Sequence, residues 1–540
     1  MRIFQWTRSV RVVCSLVVLC MAGCAEFRQW KDNGFKVGPD YFKPVAPVAS
    51  EWIDFNNPDV ISDSHAVNDA AWWESLNDPV LNRLINQAHQ QNLSLRAAGM
   101  RVLEAQAQRA IAAGLLYPQA QEGVASFNQT QLGTVGNAAG IGALPFRSFS
   151  LWSSGFNVGW EIDLWGKFRR NLESADANLD ASIENHDDVL VCLIAETAAA
   201  YVETRAFQKR LKYALSNVEI QQASLEYAEA NFKEGEVSEL SVTQAKSNLA
   251  QTRALVPALK KGLRLANNRL CVLLGTPPRD LSPELGEAPT PVAPPQLVVG
   301  IPAELIRRRP DVRREERRVA AQSARIGIAT ADLFPAFTIN GSINWQANNF
   351  SDMFSSAANA GFISPTFNWN LLNYGRIRNG IAAEEAVFQE LAVQYQDTVL
   401  KANAEAEDGI ACFLNAHDQF KSLRAGVEAS ERSVELGNIQ LDLGGADLFR
   451  VLYLQTILVQ QQDQLASAEA EIALSLIRTY KALGGGWQIR LGQSVSEGAT
   501  AIQELPALAP PNVPDSDDAE KDETPEVKTE NAPAPEKTDE

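Results

Sequence analysis

The stretch Trp160-Glu161-Ile162-Asp163-Leu164-Trp165-Gly166-Lys167 closes a run in which Phe156, Val158, Trp160, Ile162 and Leu164 alternate with Gly155, Asn157, Gly159, Glu161 and Asp163. A period of two marks a strand with one apolar and one polar face. Beyond Gly166 the period changes. No proline interrupts the Ala- and Glu-rich sequence from Gly166 to Phe232, which predicts a single helix of roughly 100 Å at ~1.5 Å per residue. The octapeptide is therefore a strand-to-helix joint, and it occurs twice. Trp369 follows Trp160 by 209 residues, and Tyr374-Gly375-Arg376 follows Trp165-Gly166-Lys167 by the same interval. The interval recurs between Gly235 and Gly444, and between Leu274-Gly275 and Leu483-Gly484. A spacing held over more than a hundred residues is an internal duplication.

The duplication organises the chain. Residues 77–275 form the first repeat: a helix from Asp78-Pro79 to about Leu116, a strand–loop–strand unit at 119–164, the long helix, a turn at Gly235, and a return helix expected to kink at Pro257. Residues 303–484 form the second: a helix through Arg309-Pro310-Asp311 to Ala331, a strand–loop–strand unit at 336–372, a long helix, a turn at Gly444-Gly445, and a return helix. Pro118 and Pro335, which stop the leading helices, are 217 residues apart, so the second hairpin is shorter. Pro365 within the fourth strand predicts a bulge or kink. Residues 24–76 read as an extended arm, 276–302 as a Pro-rich linker, 485–505 as a short C-terminal segment, and 506–540 as a disordered acidic tail.

Charge and composition exclude several classes of function. The formal net charge is −18, and the segment from Asp515 to Glu540 holds eleven acidic residues against three lysines. That is the opposite of a nucleic-acid footprint. Four histidines and scattered cysteines offer no metal-ligand spacing. Residues 1–23 read as an export signal: Arg2, Arg8 and Arg11, then an apolar core from Val12 to Leu19, then Met21-Ala22-Gly23 before Cys24. Met21-Ala22-Gly23-Cys24 resembles a bacterial lipoprotein cleavage box, which implies lipidation of Cys24; the alternative is a plain secretory signal with an incidental cysteine. Several acyl chains at ~0.8 kcal/mol per buried CH₂ would hold the chain on a membrane.

Strands of about ten residues with an apolar face and an Asn/Ser/Thr/Gln face fit a transmembrane barrel, although a soluble sheet shows the same alternation. Four strands cannot close a barrel, and open edges are not tolerated in lipid, so a barrel reading requires oligomerisation. The expected object is an α+β membrane protein, a pore with a long helical extension and not an enzyme.

The chain resembles the outer membrane factor family of TolC-like channels, within it the NodT-type efflux lipoproteins. The residues that carry the resemblance are Val37-Gly38-Pro39-Asp40-Tyr41 with Pro44, Trp72-Trp73, Asp78-Pro79 with Leu81, Asn92-Leu93, Trp160 to Lys167, Ile301-Pro302, Arg309-Pro310-Asp311-Val312 to Glu316, Ala329 to Pro335, and Gly444. Glu315, and Leu441-Asp442-Leu443 before the tip glycine, depart from the family pattern. The resemblance implies a homotrimer whose twelve-stranded β-barrel, four strands per chain, continues into a long periplasmic α-helical barrel. It further implies an outer membrane location in a diderm bacterium, contact with outer membrane lipids, a periplasmic adaptor, an inner-membrane transporter that is commonly proton-driven, and no cofactor. The function implied is the exit channel of a tripartite efflux system. The alternatives are the duct of a type I protein secretion system, on the same fold, and a non-conducting lipid-anchored spacer.

Candidate sites follow, each beside a plainer reading. The tip residues Gly235, Ser238, Glu239, Asp442, Gly444 and Asp447 are candidates for a periplasmic aperture or adaptor docking. Ser238 and Asp447 also stand where helices restart and need an N-cap. Glu161 and Asp163 on the polar face could line a cation-favouring lumen, or pair with Lys167, Arg169 and Arg170. Trp165, Gly166, Lys167 and Tyr374, Gly375, Arg376 form the barrel-to-helix joints, with the aromatic expected in the interfacial girdle and the basic residue toward headgroups or water. The arginines between Arg307 and Arg318, interleaved with Glu304, Asp311, Glu315 and Glu316, read as a solvated, salt-bridged helix face.

Overall fold

In the computed structural model, which describes residues 30–61, 69–131, 148–299 and 307–491, the elements begin and end where local chemistry requires. The export signal, Cys24, the Gly-rich loop after Gln131 and the acidic tail lie outside the described residues. Asp78 caps α1 (Pro79–Gln91), its carboxylate accepting from the Val80 and Leu81 amides at 2.8 and 3.2 Å, with Pro79 at the first position. The single helix expected as far as Leu116 is in fact two. Asn92 takes an extended conformation between α1 and α2 (Leu93–Gly114). Its side-chain oxygen accepts from the Leu95 amide at 2.9 Å, and its amide donates to the Leu273 carbonyl at 2.9 Å. A capping side chain that also satisfies another helix's terminal carbonyl makes the break more favourable than continuation.

The sheet contains β2 (Ala120–Gln131), β3 (Ser148–Ile162), β5 (Ala336–Ala347) and β6 (Asn359–Asn368), antiparallel throughout in the order β2-β3-β5-β6. Pro365 produces no bulge: the ladder runs from Ala336 opposite Asn368 to Trp345 opposite Asn359 without an extra residue. β6 is an edge strand of this sheet, the place where a proline is tolerated. The fourth strand also ends earlier than expected, at Asn368. Trp369 leaves the ladder and donates its indole N–H to the Leu333 carbonyl at 2.9 Å.

The pairing register sorts the faces. Phe127, Phe156, Val158, Ile162, Ile343, Ile363 and Phe367 share one face, and all are exposed. Asn157, Glu161, Thr338, Asn340, Asn344, Gln346, Ser364 and Thr366 share the other. Both faces of the four strands are largely exposed or half-buried; a continuous bare apolar row is what lipid would cover, because in a soluble domain that face would be packed. Among the described residues no helix is long and apolar enough to cross a membrane.

Each hairpin feeds a long helix, α3 (Lys167–Glu234, 68 residues) and later α7 (Arg376–Asp442, 67 residues). Each long helix turns back into a return helix, α4 (Glu239–Leu273) and α8 (Leu448–Ala482). α4 continues through Pro257. The arm and linker are more ordered than their composition suggested: β1 (Val60–Ile61) pairs in parallel with β4 (Leu297–Val298), and the linker carries a short helix, α5 (Ser282–Leu285). α6 (Pro310–Ala331) packs against α3 and α7.

The main core gathers Leu81, Leu84 and Ile85 of α1, Leu190, Ile194 and Tyr201 of α3, Leu270 of α4, Phe413 of α7 and Leu476 of α8. A cation sits inside it. Arg205, 1% exposed, donates to the Leu285 and Gly286 carbonyls at 2.7 and 2.6 Å, to Gln208 at 2.9 Å and to the Tyr201 hydroxyl at 3.0 Å. Tyr201 in turn donates to Asp78 at 2.6 Å. One buried guanidinium thereby ties the linker, α3 and the start of α1 together, with its donors matched to carbonyls that would otherwise lack partners.

Candidate functional site

The first joint is built from three separate parts of the chain. Gly166 has φ +80° and offers no side chain to cap α3. Asp163 does so instead, accepting from the Phe168 and Arg169 amides at 3.0 Å each and from Arg169 Nε at 3.0 Å. Arg169 reaches on to the Gly34 and Phe35 carbonyls at 2.6 and 2.9 Å. Arg170, 3% exposed, donates to the Val37 and Gly38 carbonyls at 3.1 and 3.2 Å and to Asp40 at 2.8 Å. Lys36 pairs with Glu173. The arm is thus strapped across the joint by charge-assisted bonds to its backbone.

Trp165 and Lys167 are placed differently from the expectation of an interfacial aromatic and a headgroup-facing base. The Trp165 ring stacks on Phe334 with centroids 4.6 Å apart, lies 5.6 Å from Trp30, and donates its N–H to the Pro335 carbonyl at 2.8 Å. Lys167 pairs with Asp332 at 2.7 Å. Both are held by the α6–β5 corner, which the register of β3 on β5 brings alongside. The second joint has no such cover. Tyr374 is 97% exposed with φ +51°, Gly375 has φ +82°, and Arg376 is exposed.

Glu161 and Asp163 part company. Asp163 is committed to the α3 cap and Arg169, while Glu161 stays on the polar face, where Gln119 bridges its backbone N–H and carbonyl at 2.7 and 3.2 Å.

The arginine-rich segment is solvated only in part. Arg307, Arg308 and Arg318 are exposed, whereas Arg309, Glu315 and Glu316 are buried. Some pairs stay local, as Arg309 with Asp311 at 2.8 Å and Arg314 with Glu315 at 3.0 Å. Others cross between helices: Arg313 to Glu184, Arg314 to Asp188 at 2.6 Å, and Arg309 to Glu405 at 2.8 Å. Arg490 holds the fully buried Asp187 at 2.6 and 3.0 Å. Burial pushes the Glu184 carboxyl up to about 7, against the pull of Arg313. Burial likewise raises Asp180 and Asp188. The signal in the sequence was the spacing of Asp180, Glu184, Asp187 and Asp188, which places four acids along one stripe of α3.

At the far end, both turns close with glycines in the left-handed region, Gly235 at φ +81° and Gly444 at φ +74°. Ser238 caps α4 through the Ser241 amide, and Asp447 caps α8 through the Phe449 amide, each at 3.4 Å. Glu239, Asp442 and Asp447 are exposed. Leu225, Ala228, Val242, Leu249, Leu448 and Leu452 pack the two helical hairpins side by side. Around them Leu240, Leu443 and Tyr453 are exposed at 66%, 81% and 61%, apolar candidates absent from the charge-based reading of the tips.

Comparison with known proteins gives one answer. A family model described as outer membrane efflux protein matches residues 84–276 and 301–485. The chain is 31% identical over 430 residues to the pyoverdine export outer membrane protein OpmQ of Pseudomonas putida, covering 79% of this chain and 90% of that one. It is 27% identical over 493 residues to nodulation protein T of Rhizobium leguminosarum bv. viciae, covering 91% and 97%. The solved structure of the outer-membrane channel OprN superposes with a TM-score of 0.78 at 33% identity, covering 84% of this chain and 99% of that one.

Proposed function

From the premise that the chain belongs to the outer membrane efflux protein family, we propose that it is the exit channel of a tripartite efflux system, passively conducting substrates from a periplasmic adaptor and a proton-driven inner-membrane transporter to the exterior. The observation that carries this reading is the sheet: four antiparallel strands, open at both edges, bare on the apolar face, running directly into helices of 68 and 67 residues. Open edges in lipid call for further copies of the chain, and three copies give twelve strands around a lumen lined by Asn, Ser and Thr. Apart from Glu122 and Glu161 that lining is uncharged, which leaves most of the selection to the pump. The family match is to efflux proteins, so the secretion duct is not carried further. A spacer has no use for a lipid-facing sheet.

Lipidation of Cys24 fits the arm. Trp30 packs beside Trp165 at the joint, and the six residue steps from Cys24 to Trp30 span at most about 20 Å, so an acylated Cys24 would reach the periplasmic leaflet. At the tips, Asp447 with Asp442, Gly444, Gly235, Ser238 and Glu239 forms the aperture and docking surface, and exposed Leu240, Leu443 and Tyr453 supply its apolar contacts. Purified channel in planar bilayers tests both parts. The wild type should conduct, and Asp447→Ala should conduct more; a non-conducting wild type refutes the channel, and an unchanged conductance in intact Asp447→Ala channels refutes the aperture.

A further inference from the structure

The internal repeat specifies more than the need for further copies. β2 pairs with β3 so that Ala120 lies opposite Gly159, and β5 pairs with β6 so that Ala336 lies opposite Asn368. Gly159 and Asn368 are 209 residues apart, the repeat interval, so Ala120 and Ala336 are equivalent positions, 216 apart. At the corner just before these strands the interval is 217, between Tyr117-Pro118 and Phe334-Pro335. The single extra residue of the first repeat, Gln119, is the one that bridges the Glu161 backbone.

Within the chain, β3 pairs with β5 with Ile162 opposite Phe337. This pairing brings the Phe334-Pro335 corner under Trp165. The repeat equivalents of β3 and β5 are β6 and β2, which are the two open edges. Transferred by the intervals 209 and 216, the same pairing sets Asn368 opposite Val124 and Thr366 opposite Ser126. An independent check agrees: this register places Phe367 opposite Ala125 on the apolar face and Thr366 opposite Ser126 on the polar face, whereas a slip of one residue would join apolar to polar rows. The joint that would be covered is also the one left bare. Tyr374 is 97% exposed with a left-handed backbone, and Tyr117 is 70% exposed. A tyrosine in that region is strained and persists only where its surroundings impose it.

We propose that β6 of one subunit joins β2 of its partner with Thr366 opposite Ser126 of the partner subunit, and that the partner's Tyr117-Pro118 corner covers Tyr374 as Phe334-Pro335 covers Trp165. This rests on the oligomeric channel proposed above. The test is disulfide trapping in outer membranes of the full chain carrying Cys412→Ser, the exposed cysteine. Thr366→Cys with Ser126→Cys should give covalent oligomers on oxidation with copper phenanthroline. Those two positions lie on opposite edges of one chain's sheet, three strand spacings or roughly 14 Å apart across the strands and eight residues or about 26 Å apart along them, too far for a bond within one subunit. Thr366→Cys with Val124→Cys, or with Asn128→Cys, should remain monomeric on non-reducing gels. A short bis-maleimide should link Tyr374→Cys to Tyr117→Cys. Glutaraldehyde treatment of the same membranes separates the two levels of the argument. Oligomers with a shifted pair linked, or with no link at 366/126, overturn the register; absence of oligomers overturns the channel reading as well; strand links without the 374/117 link overturn the corner contact.

Discussion

Replacing Gly166 by alanine, alongside the same change at Gly375, measures how far the arm is built into the first joint. Both glycines sit in the left-handed region, at φ +80° and +82°, and a Cβ there costs about 1–2 kcal/mol. The surroundings differ. A Cβ on Gly166 would lie 2.7 Å from the Lys36 Cα and 2.6 Å from its Cγ, whereas one on Gly375 would meet only the Asn379 side chain at 3.5 Å. Backbone cannot swing aside as a side-chain end can, so the arm must lift by about 0.7 Å or more, at an overpacking cost of about 1–3 kcal/mol. Lifting it also strains the Val37 amide bond to the Trp165 carbonyl, 3.0 Å long, and the Arg170 bonds to Val37 and Gly38. The expected totals are about 2–5 kcal/mol for Gly166→Ala and about 1–2 for Gly375→Ala. Thermal unfolding of the purified protein in detergent would show the difference as a clearly larger fall in Tm for Gly166→Ala. Limited proteolysis after Lys31 or Lys36 should accelerate in that variant alone. Equal losses at the two glycines, with the arm still protected, would refute the account of the strap.

Three further outcomes follow from the geometry. Arg205→Met leaves the Leu285 and Gly286 carbonyls without their donor and should destabilise the fold by about 3 kcal/mol or more, read as a lowered Tm with faster amide exchange around α5. Glu184 binds its proton more tightly folded, at about 7, than at its ordinary 4.5, so its contribution is complete below about pH 4.5 and is lost as pH rises through 7; Glu184→Gln should remove about 2 kcal/mol of the stability lost between pH 5 and 7.5, read as a flatter Tm profile, and an unchanged slope would reassign the titration to Asp180 or Asp188. Glu161→Gln should alter cation selectivity in planar bilayers while Asp163→Asn leaves it unchanged and lowers Tm through loss of about 1 kcal/mol from its charged pair with Arg169; a selectivity change in Asp163→Asn would return that carboxylate to the lumen.

The acidic stripe of α3 shows where reading the chain residue by residue stopped short. Asp180, Glu184, Asp187 and Asp188 are visible as a pattern, and so are the arginines from Arg307 to Arg318. Their partnership depends on α6 lying against α3, and without that contact an alternating-charge helix reads as a solvated one. Asn92 is similar. As a sequence mark it is one polar residue in a helical run; its break depends on the Leu273 carbonyl, 181 residues away, needing a donor. The tips show the same limit in reverse, since their glycines and caps were legible while exposed Leu240, Leu443 and Tyr453 became candidates only once the helices around them were packed.

What the sequence determined by itself was everything set by period and interval. Alternation defined the strands and their lipid-facing side, an unbroken helical run defined the length of α3 and α7, and the 209-residue interval defined two copies of one plan joined at Gly166 and Gly375. These are local properties, because backbone periodicity and the need for a left-handed residue do not depend on distant partners. The tertiary structure decided which of the two joints is covered. Trp165 is capped, stacked and strapped because β5 and the arm happen to lie beside it, and Tyr374 is bare because its counterpart strand belongs to another edge. Two like sequences acquire different surroundings through sheet order alone, and sheet order is a long-range choice that no window of residues contains.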